Sequence, residues 1–304
     1  MWRVKVAAIG IGSNSLRMLV AEIEDGQIVR SKRYRKGLRV FAALDADKNI
    51  SPEMIRDACD SVLDFKTEAN REGAETIHLF ATSAVRDAAN QLSLIESLRC
   101  NTGLDLDVCS GDEEAALSFW GAAGATKTGM IDIGGGSTEL AVGQAKSIDD
   151  AVSLQMGAVR LFRMKPIASF ADACQVVRLA SDIIQPVCKR FYCSDPGMEW
   201  VGVGGTFTTC AAIVQRIPWE QREKIHHFVM SQDSIKAAIA FIAPMPLEER
   251  LKLNCLQPQR ADIVVHGMAI LLACMQMLNI PEIKVSEHGN LEGYLKARYV
   301  FEKI

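Results

Sequence analysis

The spacing of apolar residues along the chain alternates between strand-like runs and helix-like periods, which predicts a mixed α/β protein. Short apolar runs bounded by glycine or polar residues predict strands at residues 75–82, 104–109 and 283–286. Helical spacing predicts helices at residues 51–73, 83–98, 111–121, 168–192 and 207–215, and helices that begin at residues 231 and 291. Alternation of this kind is typical of sheets that are covered by helices.

Some helix boundaries have a chemical signature. Ser51 followed by Pro52 is a favourable N-cap and first-turn pair, and Ser231 is placed to cap a later helix. Pro186 is expected to kink or break the helical segment 168–192, because proline has no backbone N–H to donate.

Two apolar segments have to be tested as membrane or signal sequences. Residues 1–23 begin with positive charge, but the small polar turn at residues 10–15 fits a strand–turn–strand better than a signal peptide. Residues 263–278 contain His266 and are shorter than the roughly 20 residues of a spanning helix. We therefore expect a buried core helix there and no membrane anchor.

The most informative pattern is an internal repeat. Residues 9–20 read IGIGSNSLRMLV, and residues 131–142 read IDIGGGSTELAV. Both are an apolar strand, a turn of small residues that ends in serine, and a second apolar strand. The spacing is too wide for a solenoid, so it predicts two related domains that each open with a glycine-rich hairpin. With a hinge at residues 121–125, we expect domains at residues 1–123, joined by a C-terminal helix at about 290–304, and at residues 124–289.

Turns of this composition can bind phosphate. Glycine allows close backbone approach, and successive turn N–H groups form a concavity that holds an anion. Hydroxyl groups add donors at Ser13, Ser15, Ser137 and Thr138. Two such hairpins facing each other would clamp a phosphate chain. The alternative is two ordinary tight turns, which Gly, Asn and Ser form without any ligand.

A third glycine turn, at residues 201–206, again follows an apolar strand. Gly204, Gly205 and Thr206 precede the predicted helix 207–215, so they lie at a helix N-terminus, where anions bind readily.

Three carboxylates are candidates for chemistry. Glu114 belongs to an acidic first helical turn, which is commonly only solvated but beside a phosphate site would supply a general base. Asp132 ends an apolar strand next to the glycine turn, where Mg²⁺ would offset the cost of burying it. Glu139, on the return strand, either supports that cation or forms a cross-strand ion pair.

Two basic features are ambiguous. Residues 30–39 hold six cations in ten positions, which is either a solvated strand or an electropositive track for a polyanion. Arg86 is expected in the first turn of the helix 83–98, where the macrodipole disfavours a cation unless an anion lies opposite it.

Composition narrows the class of protein. The net charge of -3 and the pI near 6.0 argue against a general nucleic-acid binder. The nine cysteines form no C-x-x-C pair, which indicates reduced thiols, a cytoplasmic location and no structural zinc.

The motifs of this chain, taken in their order along the sequence, resemble those of the exopolyphosphatase and guanosine pentaphosphate phosphohydrolase family. That family belongs to the actin-like, sugar kinase and heat-shock ATPase superfamily. The resemblance runs from about Val6 to Gly293 and covers both halves of the chain. It rests on GSNS at 12–15, ATSAVR at 81–86, SGDEEA at 110–115, DIGGGSTE at 132–139, MGAVRL at 156–161, GGT at 204–206, RAD at 260–262 and VSE at 285–287.

The resemblance implies two ribonuclease-H-like domains, with mixed sheets flanked by helices and an active-site cleft between them. The implied activity is metal-dependent hydrolysis of the terminal phosphate of inorganic polyphosphate, with guanosine pentaphosphate as a second candidate substrate, by a homodimer. Glu114 would be the catalytic base, and Asp132 and Glu139 would place Mg²⁺ or Mn²⁺. The implied phosphate-binding residues are Ser13, Asn14, Ser15, Arg86, Gly134, Gly135, Gly136, Ser137, Thr138, Gly204, Gly205 and Thr206.

Two departures from the family pattern keep other functions open. Gly10 stands where the family has Asp in the first hairpin, and Asn290-Leu291 replace the usual Leu-Arg. Loss of the carboxylate suggests a weak or inactive protein that binds polyphosphate or a guanosine alarmone. A sugar kinase of the same superfamily is the third alternative, disfavoured by the short chain and by the GDEEA motif at residues 111–115.

Overall fold

The computed structural model of the chain describes residues 2–193 and 197–301. These residues form two compact units. Unit 1 contains the described residues up to Leu117 and those from Asn290 onward, and unit 2 is Ser118–Gly289. The sequence placed the first boundary at 123/124, whereas the division lies within a helix, at Leu117/Ser118.

Unit 1 is built on a mixed sheet that the described residues form in the order β3-β2-β1-β4-β5. β1, β2 and β3 are an antiparallel meander, and β4 and β5 extend it in parallel with β1. The strands are β1 (Arg3–Ile11), β2 (Ser15–Glu24), β3 (Gln27–Gly37), β4 (Thr76–Ala81) and β5 (Leu106–Val108).

Unit 2 repeats this topology. Its described sheet has the order β10-β11-β9-β6-β7-β8, so that the meander β6, β7 and β8 is extended by the parallel strands β9 and β11. One further strand, β10, pairs antiparallel with β11. The strands are β6 (Lys127–Ile133), β7 (Thr138–Gln144), β8 (Ser147–Leu154), β9 (Glu199–Val203), β10 (Val229–Ser231) and β11 (Glu282–Ser286).

Helices connect and flank the strands. In chain order they are α1 (Pro52–Arg71), α2 (Ser83–Arg86), α3 (Gln91–Thr102), α4 (Gly111–Ala122), α5 (Ala158–Met164), α6 (Phe170–Ile184), α7 (Cys188–Phe191), α8 (Gly205–Gln215), α9 (Arg222–Ile225), α10 (Gln232–Ile242), α11 (Leu247–Arg250), α12 (Val264–Met277) and α13 (Asn290–Lys296). Short 3₁₀ turns lie at Phe41–Ala43 and Pro258–Arg260, and a π-helical turn at Ala297–Phe301 follows α13.

The predicted caps are confirmed. Ser51 Oγ accepts a hydrogen bond from Met54 N at 3.2 Å at the start of α1, and Ser231 Oγ accepts one from Ser234 N at 3.2 Å at the start of α10. The chain also breaks around Pro186, between α6 and α7. All three features follow from local chemistry, which is why the sequence predicted them.

The prediction of one helix over residues 83–98 was wrong. The segment forms α2 and α3, separated at residues 87–90. Asn90 explains the break, because its side chain accepts a hydrogen bond from Ile50 N at 2.8 Å and donates one to Ile50 O at 2.9 Å. The position of Asn90 is therefore fixed by a distant strand-like segment, and sequence periodicity could not show this.

The basic run at residues 30–39 lies mainly on β3, which is the edge strand of the described unit 1 sheet. Its alternate side chains meet one face of α1, where Asp64, Glu68 and Glu72 recur every four residues. Lys32 Nζ lies 2.5 Å from Glu72 Oε1, and Lys36 Nζ lies 2.8 Å from Asp64 Oδ2. These pairs favour a solvated strand bound to its neighbouring helix over a track for a polyanion.

The core of unit 2 surrounds α12. Its residues from Val264 to Met275 are all buried, and it packs against α5, α6, α8 and α10. The predicted buried core helix is thus confirmed. Over the part of the chain that the structure describes, no helix has the length and apolar character needed to cross a membrane.

Candidate active site

The two hairpins predicted from the internal repeat have the same turn. Gly12 N donates to Ser15 O at 3.1 Å in unit 1, and Gly134 N donates to Ser137 O at 3.0 Å in unit 2. In each unit the turn follows a strand that is parallel to its neighbour, so it lies at the carboxyl edge of the parallel strands. Ligands of open α/β sheets bind at this edge.

In unit 1 the turn residues Ser13, Asn14 and Ser15 are buried. Ser13 Oγ lies 2.9 Å from Ser83 Oγ, which joins the hairpin turn to the start of α2. The turn carbonyls are also bound, because Phe41 N donates to Ser13 O at 3.0 Å. The turn is therefore held in place by its neighbours.

The glutamates in the first turn of α4, Glu113 and Glu114, have different roles. Ser110 N donates to Glu113 Oε2 at 2.7 Å, and Glu113 N donates to Ser110 Oγ at 3.2 Å, which is a capping box. The backbone hydrogen bond from Ser110 lowers the pKa of Glu113. Glu113 thus fits the ordinary interpretation of an acidic first turn, whereas Glu114 does not, since Glu114 is only 6% exposed.

Glu114 is paired with Arg86. Arg86 Nη1 donates to Glu114 Oε2 at 3.0 Å and to Cys109 O at 2.8 Å. A guanidinium at this distance offsets part of the cost of burying the carboxylate in its charged form. A buried, charged carboxylate at the carboxyl edge of a sheet is what a general base requires.

The dipole argument for Arg86 was wrong. The structure makes Arg86 the last residue of the four-residue α2, not part of the first turn of a long helix. The anion that Arg86 faces within unit 1 is Glu114. Its Nη2 atom is buried and has no hydrogen-bond partner among the described residues, so the guanidinium retains a donor for a further anion.

In unit 2, Asp132 and Glu139 lie directly opposite each other across β6 and β7. Asp132 is 9% exposed and Glu139 is 1% exposed. Ser118 Oγ donates to Asp132 Oδ2 at 2.6 Å, and Ser153 Oγ donates to Glu139 Oε1 at 2.7 Å. The residues opposite Glu139 in register are Asp132 and Ser153, so the predicted cross-strand ion pair does not form with either.

The carbonyl groups of the second glycine turn are hydrogen-bonded to the start of α5. Ala158 N donates to Gly134 O at 2.9 Å, Val159 N to Gly135 O at 2.9 Å, and Arg160 Nε to Gly136 O at 2.7 Å. A turn whose carbonyl oxygens are bound in this way is suited to hold an anion through its N–H groups.

Two hydroxyl groups complete this turn. Thr138 Oγ1 is hydrogen-bonded to Met156 O, so it fixes the return strand. Ser137 Oγ is buried and has no hydrogen-bond partner in the described part of the chain. A buried hydroxyl left without a partner in the protein is a candidate ligand for substrate.

The third glycine turn lies beside Asp132. Gly204 has φ +88°, and a Cβ there would stand 2.7 Å from Asp132 Oδ1, so the position requires glycine. At Gly205, the first residue of α8, a Cβ would overlap the Arg260 guanidinium. Thr206 Oγ1 donates to Ile133 O at 3.1 Å and ties the turn to β6. The structure thus brings Asp132 and the third turn together.

The donor set of unit 2 fits a hard divalent cation. No group of three or more His, Cys, Asp or Glu side chains within the described ranges is arranged to hold a metal ion. Mg²⁺ needs no such group, because it is usually bound through one or two carboxylates, with phosphate oxygens and water supplying the other ligands. Asp132 and Glu139 provide that pair.

Sequence reasoning missed three residues of the site, namely Ser83, Ser118 and Ser153. Ser118 could have been found, because it follows Glu114 by one helical repeat on α4. Ser83 of unit 1 belongs to the ATSAVR motif, but its contact with Ser13, like the contact of Ser153 with Glu139 in unit 2, joins separate elements and is not revealed by local sequence.

Comparison with known proteins identifies the family of this chain. Residues 19–298 match the Ppx/GppA phosphatase family. Exopolyphosphatase 2 of Mycobacterium tuberculosis is 28% identical over 311 residues, covering 95% of this chain and 97% of that protein. The guanosine-5'-triphosphate,3'-diphosphate pyrophosphatase of Vibrio atlanticus is 28% identical over 296 residues, covering 94% of this chain and 58% of that protein.

The crystal structure of the Aquifex aeolicus Ppx/GppA family member superimposes with a TM-score of 0.84 at 23% identity, covering all of both chains. This likeness confirms the predicted fold of two mixed sheets flanked by helices. The family match begins within β2 and spans most of the chain, including the second hairpin and the start of α4. The chain therefore belongs to the Ppx/GppA phosphatase family.

Proposed function

We propose that this protein is a metal-dependent phosphohydrolase that releases the terminal phosphate of inorganic polyphosphate, with guanosine pentaphosphate as a second substrate. The observation that carries the proposal is the buried pair of Glu114 and Arg86 at the carboxyl edge of the unit 1 sheet. The names of the two curated relatives, an exopolyphosphatase and a guanosine-5'-triphosphate,3'-diphosphate pyrophosphatase, support the two substrates.

In the proposed reaction, Glu114 orients a water molecule and accepts its proton as the water oxygen attacks the terminal phosphorus. The phosphoanhydride bond breaks, and the products are inorganic phosphate and a chain shorter by one phosphate. Proton transfer to a positioned carboxylate typically contributes about 10² to 10⁴-fold to such a rate. Arg86 holds Glu114 and directs its remaining donor, Nη2, to a phosphate oxygen.

The glycine turns would bind the phosphate groups. The 12–15 turn offers Ser13 and Ser15, the 134–138 turn offers Ser137, and the 204–206 turn lies at the N-terminus of α8. Such positioning supplies most of the catalysis in phosphoryl transfer, because the transition state needs little covalent help from the protein.

Asp132 and Glu139 would hold Mg²⁺ or Mn²⁺. When bound, the cation neutralises charge on the phosphate oxygens. The serines at positions 118 and 153 orient the two carboxylates through the hydrogen bonds described above.

The proposal extends to a homodimer in the cytoplasm. The homodimer follows from the family resemblance. The cytoplasmic location is supported by the nine cysteines, which are all free thiols. Burial raises the pKa of Cys109, Cys210 and Cys274 to about 12, so these three remain neutral and unreactive.

The alternative of a binding protein with little activity is supported by the residue at position 10. Gly10 removes the carboxylate that the family has in the first hairpin, so a polyphosphate or alarmone binder with little activity is the second candidate. Membership of a phosphatase family argues against the sugar kinase alternative.

Phosphate release from long-chain polyphosphate and from guanosine pentaphosphate, with Mg²⁺ or Mn²⁺, tests the proposal. We expect Glu114→Gln to lower the rate by at least about 10²-fold. Glu113→Gln is the matched control, since it makes the same change one residue away in a capping carboxylate, and it should retain activity within a few-fold. A silent native protein would support the binder instead, whereas equal activity in Glu114→Gln would overturn the assignment of Glu114 as the general base.

A further inference from the structure

The first hairpin differs from the second at the position that the repeat aligns with Asp132. Gly10 occupies that position in β1, two residues before the shared turn. Its neighbour in register on β4 is Phe80, whereas the corresponding neighbour of Asp132 on β9 is Val203. A large aromatic ring therefore stands beside the position from which the carboxylate is missing.

Phe80 fills the space that a side chain at position 10 would need. A Cβ built on Gly10 would lie 2.9 Å from Phe80 Cζ and 3.3 Å from Cε1. Real Cβ atoms essentially never approach other heavy atoms within 3.0 Å. An aspartate carries this Cβ whatever its rotamer, so it requires the ring to move.

The ring is held in place by its contact with α13. Phe80 is fully buried and stacks on Tyr294 of α13, with ring centroids 4.4 Å apart and planes at 10°. Tyr294 is itself fixed, because its hydroxyl donates to Asp107 Oδ2 at 3.2 Å and the Arg298 guanidinium lies 3.6 Å from its ring centroid. Displacing Phe80 would thus disturb a stack of three side chains.

The side chain opposite Gly10 carries a positive charge, which disfavours binding of a cation at this position. Arg17 lies directly opposite Gly10 on β2, whereas Glu139 lies directly opposite Asp132 on β7. Arg17 Nη2 donates to Asn290 Oδ1 at 3.1 Å, which fixes the guanidinium on this side of the unit 1 sheet. A divalent cation at this row would meet a positive charge instead of two carboxylates.

We propose that Phe80 determines where this protein binds its divalent cation: the ring closes the unit 1 hairpin to a carboxylate, and Asp132 and Glu139 of unit 2 bind the ion without a ligand from β1. The inference rests on the proposed function for the identity of the ion as Mg²⁺ or Mn²⁺. Gly10 and Phe80 are then a matched pair, and restoring the family residue at position 10 alone does not restore a site.

A double-mutant cycle on thermal unfolding tests the steric part. Gly10→Ala should lower the unfolding midpoint by several degrees in the native background, and by less than half as much in a Phe80→Val background. Gly124→Ala is the control, since a Cβ there meets nothing within 4 Å, and it should leave the midpoint unchanged. Equal penalties for Gly10→Ala in both backgrounds would overturn the proposal.

Titration with Mn²⁺ tests the cation part without using hydrolysis. We expect Gly10→Asp to bind Mn²⁺ no more tightly than the native chain, and Gly10→Asp/Phe80→Val/Arg17→Gln, which also removes the opposing charge, to bind it at least about three-fold more tightly. Tighter binding by Gly10→Asp alone, at a native unfolding midpoint, would overturn the proposal. If Gly10→Asp does not fold, the Gly10→Ala cycle decides. Both readouts stay valid for a protein without hydrolase activity, so failure here is distinguishable from failure of the proposed function.

Discussion

The hairpins β1–β2 and β6–β7 share the hydrogen bond of the turn, but the side chains beside the turn carry opposite charges. Each closes its turn with the same N–H to carbonyl hydrogen bond, at 3.1 Å in unit 1 and 3.0 Å in unit 2. Two residues before the turn, unit 1 has Gly10 opposite Arg17, whereas unit 2 has Asp132 opposite Glu139. The two hairpins therefore share their turn and differ in the side chains beside it.

The difference shows which part of the hairpin serves which purpose. Backbone N–H groups bind an anion whatever the neighbouring side chains are, so both turns retain that capacity. Binding of a cation depends on carboxylates, and only the second hairpin places two of them in register. Unit 1 instead contributes Glu114 and Arg86, which come from α4 and α2.

The largest effect on the unit 1 side is expected from Arg86→Gln. The change leaves Glu114 buried without its guanidinium, which typically costs about 3–5 kcal/mol of unfolding free energy. Urea unfolding measures this loss, and phosphate release should fall in parallel. The double variant Arg86→Gln/Glu114→Gln should recover most of the stability and none of the activity.

Arg99→Gln is the matched control for that experiment. Arg99 pairs with Asp105 at 3.5 Å, but both side chains are largely exposed, so the pair contributes little. If Arg99→Gln loses as much stability as Arg86→Gln, the buried Glu114–Arg86 pair stabilises unit 1 no more than an exposed ion pair does.

A smaller effect is expected from pH, through the half-buried His78 of unit 1 and the buried His266 of unit 2. Desolvation lowers the pKa of both side chains, so folding favours their neutral forms. Their stabilising contribution is full above the unfolded pKa of about 6.5 and is lost as the pH falls below it. Each changes the unfolding free energy by at most about 1.4 kcal/mol per pH unit.

Urea unfolding between pH 7.5 and 5 measures this dependence. His266→Gln removes the titrating group, and its amide can still donate to Lys165 O, which His266 Nε2 contacts at 2.9 Å. We expect a flatter pH profile in this variant than in the native protein. An unchanged slope in His266→Gln would assign the pH dependence to other groups.

The features that the sequence predicted well are local ones. The two hairpins, the caps at Ser51 and Ser231 and the break around Pro186 depend on residues that are close together in the chain. The helix 83–98 was predicted wrongly because Asn90 is hydrogen-bonded to Ile50, which lies forty residues earlier.

The candidate site could be predicted to the level of its motifs. Glu114, Asp132 and the glycine turns were recognised by residue type and order. The partners that fix them, Arg86 for Glu114 and Ser118 for Asp132, depend on how strands and helices pack. Phe80 was not predicted at all, since its contact with Gly10 exists only across the parallel pair β1 and β4.

If the second hairpin binds the cation, its two carboxylates should control Mn²⁺ affinity. Titration calorimetry on the native protein and on Asp132→Asn and Glu139→Gln, each checked for a native unfolding midpoint, measures this affinity. We expect the native chain to bind Mn²⁺ and Asp132→Asn to weaken binding by at least about ten-fold, with a smaller loss for Glu139→Gln. Native affinity in both variants would contradict this expectation.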